Sequence, residues 1–361
     1  MELTKESAYQ AITGFFTEKP FVLFGTGTSC ALDLNFGMPA LEHYLRAELV
    51  SGMTDDQAQQ WQQVVSALDS RSHDFESAMD FIKDESLTNR IVELTACFVA
   101  AHDNTYAHSI MSGACYWPAG SLFKKLVDTL PQSDKQLHIA TPNYDLLAEY
   151  SFVRHKIPYI TGFYGGFLQN YDWNEAKKSV QSIHKGSGKP RQPPRIVEYK
   201  HIRLHKPHGS LNTFEWENHL IECNSWILNK PDGVVRAMIT PGTAKYQRLH
   251  KNRAQLTEYD TAVGNHTSFL FLGFGFNDSQ LVNNVFRQKL EQDQCCALVI
   301  TRDLNPRIEE WLGKCPNMWL ICKQTDSNKS RIYNSKFENW LYIDDKELWR
   351  FDAFTNEFLG G

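Results

Sequence analysis

Eight cysteines occur in the 361 residues, at positions 30, 97, 115, 223, 295, 296, 315 and 322, and no two of them form a CxxC pair. Structural zinc sites of the four-cysteine kind are built from such pairs, so a zinc ribbon is not expected and no metal is assigned. No apolar run approaches the roughly 18 residues that a membrane-spanning helix needs. Met1 to Thr17 carries Glu2, Lys5 and Glu6 and lacks the apolar centre of a signal peptide. A cytoplasmic protein with reduced thiols is therefore expected. Charge of one sign is also missing, with 37 Lys and Arg against 42 Asp and Glu for a net charge of −5. That balance gives no overall electrostatic reason for direct nucleic-acid binding. There is no internal repeat and no P-loop GxxxxGK[ST], so no ATPase of that type is built into the chain.

What is present is ordinary globular composition, 42% hydrophobic and 22% charged, in a chain long enough for one large domain over 1–361. Three segments share one grammar: a short β-rich run, a turn of small or polar residues, then a helical pattern. The first is Pro20 to Phe24 followed by Gly25-Thr-Gly-Thr-Ser29. The second is Leu137 to Thr141, then Pro142-Asn-Tyr-Asp145 and a helix-like Leu146 to Phe152. The third is Ser268 to Leu272, then Gly273-Phe-Gly-Phe-Asn-Asp278 and a helix-like Ser279 to Leu290. A further run, Cys296 to Ile300, comes soon after. Apolar strands alternating with helices predict an α/β fold with a parallel sheet covered on both faces, whose ligands bind beyond the C-terminal strand ends.

Between the first two segments, Trp61, Val64, Val65 and Leu68 follow i, i+3, i+4, i+7 spacing, and Phe75, Met79 and Ile82 continue it. Residues 49–130 read as a helical insertion, or as helices packed directly on the sheet. Lys185 to Arg195 has linker composition with four basic residues and reads as a flexible basic Pro/Gly loop, with phosphate contact as the alternative. The last third is rich in Trp and Phe and reads as packed structure.

Four loops carry the chemistry. Gly25-Thr-Gly-Thr-Ser29 suits a pyrophosphate, since glycines let backbone approach phosphates and the turn offers N–H donors. A tight strand–helix turn explains it equally well, and Cys30 replaces the third glycine of the dehydrogenase fingerprint. Asn143 and Asp145 suit ribose hydroxyls or a nicotinamide amide, or else a turn and helix cap. His205 and His208 offer a general base, a structural histidine or a ligand pair. His208 is preferred as base because it directly precedes Gly209-Ser210. Gly273, Gly275, Asn277 and Asp278 suit close approach of a nucleotide.

This ordered set resembles the SIR2-like (sirtuin-related) family. The family's GAGxS loop reads here Gly25-Thr-Gly-Thr-Ser29, and Gly37-Met-Pro39 lies downstream of it. The TxNYD-type motif matches Thr141 to Asp145, the HGS element matches His208 to Ser210, and the GxSxxD-like loop matches Gly273 to Asp278. The resemblance implies a Rossmann-like sheet with a helical insertion and NAD⁺ as substrate. It implies that Gly25, Gly27, Thr28, Ser29, Asp145, Ser210, Gly273, Gly275 and Asp278 bind NAD⁺, Asp278 at the adenosine end. Ala40-Leu-Glu42 stands where the deacylases have Asp-Phe-Arg, and their zinc ribbon is missing. Both departures fit better with the NAD-degrading effectors of bacterial anti-phage defence, in which Asn143 and His208 would be the catalytic pair. Likeness to those effectors implies NAD⁺ hydrolysis to nicotinamide and ADP-ribose in abortive infection. It also implies a homo-oligomer, with room for a separately encoded partner such as a HerA-type ATPase or a sensor. The rivals are a non-catalytic NAD⁺- or ADP-ribose-sensing module, a deacylase and an ordinary dehydrogenase.

Overall fold

The apolar runs form strands because β-branched and aromatic residues crowd them, and they stop at glycine or at short polar turns. The computed structural model describes residues 2–184, 195–240 and 253–360. In chain order the strands are β1 (Phe21–Phe24), β2 (Gln136–Ala140), β3 (Tyr159–Ile160), β4 (Phe163–Gly165), β5 (Gln169–Tyr171) and β6 (Gln181–His184). They continue as β7 (Arg195–Glu198), β8 (His201–His205), β9 (Thr213–Trp216), β10 (His219–Glu222) and β11 (Val235–Arg236). The last are β12 (Ser268–Leu272), β13 (Cys296–Ile300), β14 (Met318–Lys323), β15 (Ser330–Asn334) and β16 (Leu341–Ile343).

The central sheet runs in the order β16-β15-β14-β13-β12-β1-β2-β8-β3. Every neighbouring pair from β14 to β3 is parallel, and only β14–β15 and β15–β16 pair antiparallel. From β1 the chain builds outward through β2 and β8 on one side. It later returns to β12 on the other side and builds through β13 and β14. The winding direction thus reverses between β1 and β12, which opens a crevice beyond their carboxyl ends.

Both faces of the sheet are covered. Alternate residues Val22, Phe24, Ile139, Leu270 and Leu272 face one core, closed by the helices Lys5–Phe15, Gly120–Asp128, Leu147–Arg154 and Phe351–Phe358. Phe21, Leu23, Phe269 and Phe271 face the other, against the helices Arg253–Gly264, Asn284–Arg287 and Pro306–Lys314. The period-2 alternation of a strand buried on both sides separates the two cores. The fold expected from the sequence, parallel and covered by helices on both faces, is the one observed.

A smaller helical core stands apart. Leu41, Leu45, Trp61, Val64, Phe75 and Ile91 pack together, drawn from the helices Met38–Glu48, Asp55–Asp69, Phe75–Ala78 and the start of Glu85–Ser112. Thr54 and Gln57 form a capping box that starts the second of these, and Gly113 at φ 83° ends the last. This core therefore begins before residue 49, at the helix holding Leu41. The helix Gly120–Asp128, inside the expected 49–130 span, packs in the main core instead.

A second sheet, β11-β9-β10-β5-β4, antiparallel throughout, is not among the elements expected from the sequence. It lies in the chain between β3 and the helix Arg253–Gly264. Of the expected basic loop, 185–194 lie outside the described residues, and Arg195 opens β7, which pairs with β6. No helix among the described residues is long and apolar enough to cross a membrane.

Candidate active site

The loop after β1 and the loop after β12 meet at the crevice, and they interlock through backbone. A Cβ on Gly25 would stand 2.8 Å from the Gly273 carbonyl oxygen, and one on Gly27 would stand 2.7 Å from Gly273 Cα. Gly273 itself has φ +53°, and its own Cβ would lie 2.7 Å from the Gly27 carbonyl carbon. The N–H of Gly25 donates to Leu272 O (2.9 Å) and that of Gly27 to Gly273 O (3.0 Å). Thr28 N and Ser29 N turn back to Gly25 O and Thr26 O, both at 3.0 Å. The glycines thus serve loop against loop, and these four N–H groups already have protein acceptors. The tight strand–helix turn considered for this loop is present, locked by backbone contact with the facing loop. Thr28 is fully buried, with its hydroxyl on Gly25 O.

Ser29 is also fully buried and holds a polar chain together. Its hydroxyl donates to Asp145 Oδ2 (2.8 Å) and accepts from Asn143 Nδ2 (3.0 Å). Asn143 Nδ2 also donates to the Gly25 carbonyl (3.2 Å). A carbonyl oxygen accepts only, so this contact fixes which end of the amide is nitrogen. Asn143 Oδ1 is then left buried, without a hydrogen-bond partner among the described residues, on a residue that lines the cavity. Buried acceptors in this state are rare and call for an explanation. Asp145 makes the turn contact considered for it and also supports Ser29. Its Oδ1 accepts from Leu147 N (3.3 Å) at the start of the Leu147–Arg154 helix, while Oδ2 supports Ser29.

His208 lies beyond the end of β8. Its Nε2 lies 3.3 Å from Asp278 Oδ2, and both side chains are nearly buried. Asp278 therefore shares a cavity with Asn143 and His208. The cavity is about 360 Å³ and has Gly25, Asn143, Asp145, His208, Gly275 and Asp278 on its sheet side. Its opposite wall, which the sequence reading missed, includes Met38, Leu41, Phe75, Glu76 and Phe98 from the helices of the smaller core. Only Gly37-Met-Pro39 had drawn attention to that wall.

A second cavity, also about 360 Å³, lies against Gly27 and Gly273. Arg302, Asp303, Arg350 and Asp352 line it, with Cys30 and Trp349. Ser210 lines neither cavity: it is fully buried, with its hydroxyl bonded to Asn212 Oδ1 (2.5 Å) and Thr213 Oγ1 (2.9 Å). His205 is likewise internal. It is 3.2 Å from His138, stacks on that ring and packs on Trp173, and burial pulls its pKa down to about 3. Between the two histidines weighed as base, the geometry leaves His208 at the cavity. Among the described residues no three His, Cys, Asp or Glu side chains are grouped to hold a metal ion.

Behind Asp145 lies a set of buried acids. Lys206 Nζ donates to Glu149 Oε1 (2.6 Å) and to the Asp145 carbonyl (2.7 Å). Burial pushes Asp103 up to about 7 even though it accepts from Tyr150 and Leu146 N. Burial, then the charge of Glu149, pushes Glu222 up to about 8, against Lys206 and a hydrogen bond from Thr161. The folded protein thus keeps the Glu222 proton to a higher pH than the unfolded chain does. Its contribution to stability is present in full below pH 4.5, the ordinary Glu value, and is lost as pH rises through about 8. Glu222→Gln, neutral at every pH, is expected to match the wild type near pH 4.5 and to exceed it at pH 8. The gap should widen by up to about 1.4 kcal/mol per pH unit. Urea unfolding at several pH values checks this, and a pH-independent gap would contradict it.

The switch point of a doubly wound parallel sheet, where the first cavity lies, is where α/β proteins of this architecture commonly bind ligands. Residues 137–311 match the family model of the SIR2-like domain, which supports the SIR2-like family for this protein. SIR2-like domains are in general NAD-dependent enzymes. The matched stretch holds Asn143, Asp145, His208, Ser210, Gly273, Gly275 and Asp278, while the Gly25 loop precedes it. No curated protein matches the chain significantly.

Proposed function

We propose that the protein is an NAD⁺ glycohydrolase that releases nicotinamide and ADP-ribose. The observation that carries this reading is Asn143: its amide nitrogen is held by Gly25 O and Ser29 Oγ, and its Oδ1 is a buried acceptor with no partner among the described residues. A ribose hydroxyl or the attacking water satisfies that oxygen. The bond between C1′ and the pyridinium nitrogen breaks, and its electron pair neutralises the departing nicotinamide. An oxocarbenium-like ribose remains, comparable in charge to that of glycoside hydrolysis. Water adds at C1′ and gives up a proton, which His208 accepts. In this reading the adenosine half is assigned to the second cavity, which shares Gly273 with the first. There the guanidinium groups of Arg302 and Arg350 are the cations nearest to hand for the pyrophosphate.

Unchecked NAD⁺ hydrolysis would harm the host cell. With the resemblance to anti-phage effectors, this favours a chain that is silent until it assembles, alone or with a separately encoded ATPase or sensor. Nicotinamide release by the purified chain, measured across protein concentration, tests the reading. Release per chain that climbs with concentration is expected. Acetyl-lysine-dependent consumption of NAD⁺ would instead favour a deacylase.

A further inference from the structure

His208 and Asp278 meet across the crevice, although their strands are not neighbours. In the sheet order β12-β1-β2-β8, two strands separate the one that leads to Asp278 from the one that leads to His208. Three strand spacings amount to roughly 14 Å, so both loops must bow over the ends of β1 and β2 to make contact.

Each loop is shaped to do so. Beside His208, Gly209 has φ +70°, where a Cβ would stand 2.3 Å from Ala237 O, and Ile239 N donates to His208 O at 2.9 Å. On the other side Phe276 holds φ +60°, a left-handed conformation unusual for a bulky residue. Burial of its ring against Phe271 (4.7 Å between centroids) and Trp311 (5.8 Å) keeps it there. Strain of this sort persists where surrounding packing over-determines it, often at functional sites. Two residues later, Asp278 Oδ1 accepts from Gln280 N (2.9 Å) and Leu281 N (3.2 Å). With that oxygen engaged, Oδ2 is turned to His208 Nε2.

We propose that Asp278 is the positioning residue for His208. It holds the imidazole over the crevice in one tautomer and stabilises the positive charge when the ring takes up a proton. The role given to His208 rests on the hydrolase reading above. With hydrogen on Nε2 facing the carboxylate, the basic lone pair is on Nδ1, the arrangement a general base needs. At 3.3 Å the two atoms are close but not aligned as a hydrogen bond, and such contacts commonly tighten when substrate arrives. Other charges near the cavity have their own engagements. Asp145 supports Ser29, Asp74 caps its helix through Ser77 N, and Lys206 binds Glu149. Glu76 lines the helical wall.

The test uses full-length protein carrying ¹⁵N-labelled histidine, with the His208 signals assigned by their loss in His208→Asn. Nitrogen shifts report both the tautomer and the titration. The wild type is expected to show the Nε2–H tautomer. In Asp278→Asn, which keeps an acceptor for Gln280 N and Leu281 N, His208 should titrate about one pH unit lower or more. Nicotinamide release should then fall by roughly 10²–10⁴ in kcat with little change in KM. The acid limb of the pH–rate profile should move with the titration, and Asp278→Glu should recover part of the loss. If Asp278→Asn fails to fold, Asp278→Ser keeps a capping oxygen without the charge. Unchanged tautomer and titration in the folded variant would overturn the proposal. Coupling seen by NMR in a protein that releases no nicotinamide would uphold the pair and remove only the hydrolase reading.

Discussion

Asn143→Ala is expected to abolish nicotinamide release, by a factor of roughly 10²–10⁴ or more, while the protein stays folded. The amide joins two things that alanine cannot. It donates to Gly25 O and Ser29 Oγ, which fixes its orientation, and it offers Oδ1 to the cavity. Removal takes one hydrogen bond each from the Gly25 carbonyl and the Ser29 hydroxyl, at a net cost of about 0.5–1.5 kcal/mol per bond. The carbonyl keeps its bonds from Thr28 N and Oγ1, and the hydroxyl still donates to Asp145. The site borders a cavity, so water can replace the amide and the fold survives. Asn143→Asp should be worse for stability, because a carboxylate oxygen would then face the Gly25 carbonyl. Turnover and thermal unfolding of the same samples check both statements. An alanine variant with normal turnover removes Asn143 from the mechanism.

Gly273→Ala is expected to have the largest effect on stability, about 3–5 kcal/mol from strain and overpacking together. Its φ of +53° disfavours a side chain before any contact is considered, and the new Cβ would lie 2.7 Å from backbone of the facing loop. Backbone cannot rotate aside as a side-chain tip can. Gly27→Ala meets the same obstacle from the other side, at 2.7 Å, without the positive φ, and should cost less. Both cavities border Gly273, so separating the two loops should also weaken NAD⁺ binding. Chemical denaturation ranks the variants. Equal midpoints for Gly273→Ala and the wild type would mean that the loops do not interlock as described.

The strands of the central sheet near the site could be read from sequence because each is buried on both faces. Phe21–Phe24, Ser268–Leu272 and Cys296–Ile300 are uninterrupted apolar or near-apolar runs, and each ends at a change of residue type. The second sheet could not be read in that way. Its strands span two to four residues, as in Val235–Arg236 and Thr213–Trp216, too short for a period to show. The glycine loops were found by pattern, but pattern does not say what glycine is for. Only the distances reveal that Gly25, Gly27 and Gly273 accommodate one another. The choice between His205 and His208 had a similar basis. Two histidines three apart look alike in sequence, yet His205 ends β8 inside the core and His208 sits beyond it at the cavity. The contact of His208 with Asp278 joins residues 70 positions apart through two bowed loops. No local signal encodes such a pairing.

The most direct test of the hydrolase reading combines binding and product analysis in one sample of the purified chain. NAD⁺ is titrated to saturation by calorimetry, and the recovered nucleotide and base are then separated by chromatography, at low and high protein concentration. The account predicts nicotinamide and ADP-ribose in equal amounts, and neither with Asn143→Ala. Saturated binding with NAD⁺ recovered intact at every concentration, and still intact when candidate partner proteins are added, would contradict it and would leave the protein a module that senses the nucleotide without cleaving it.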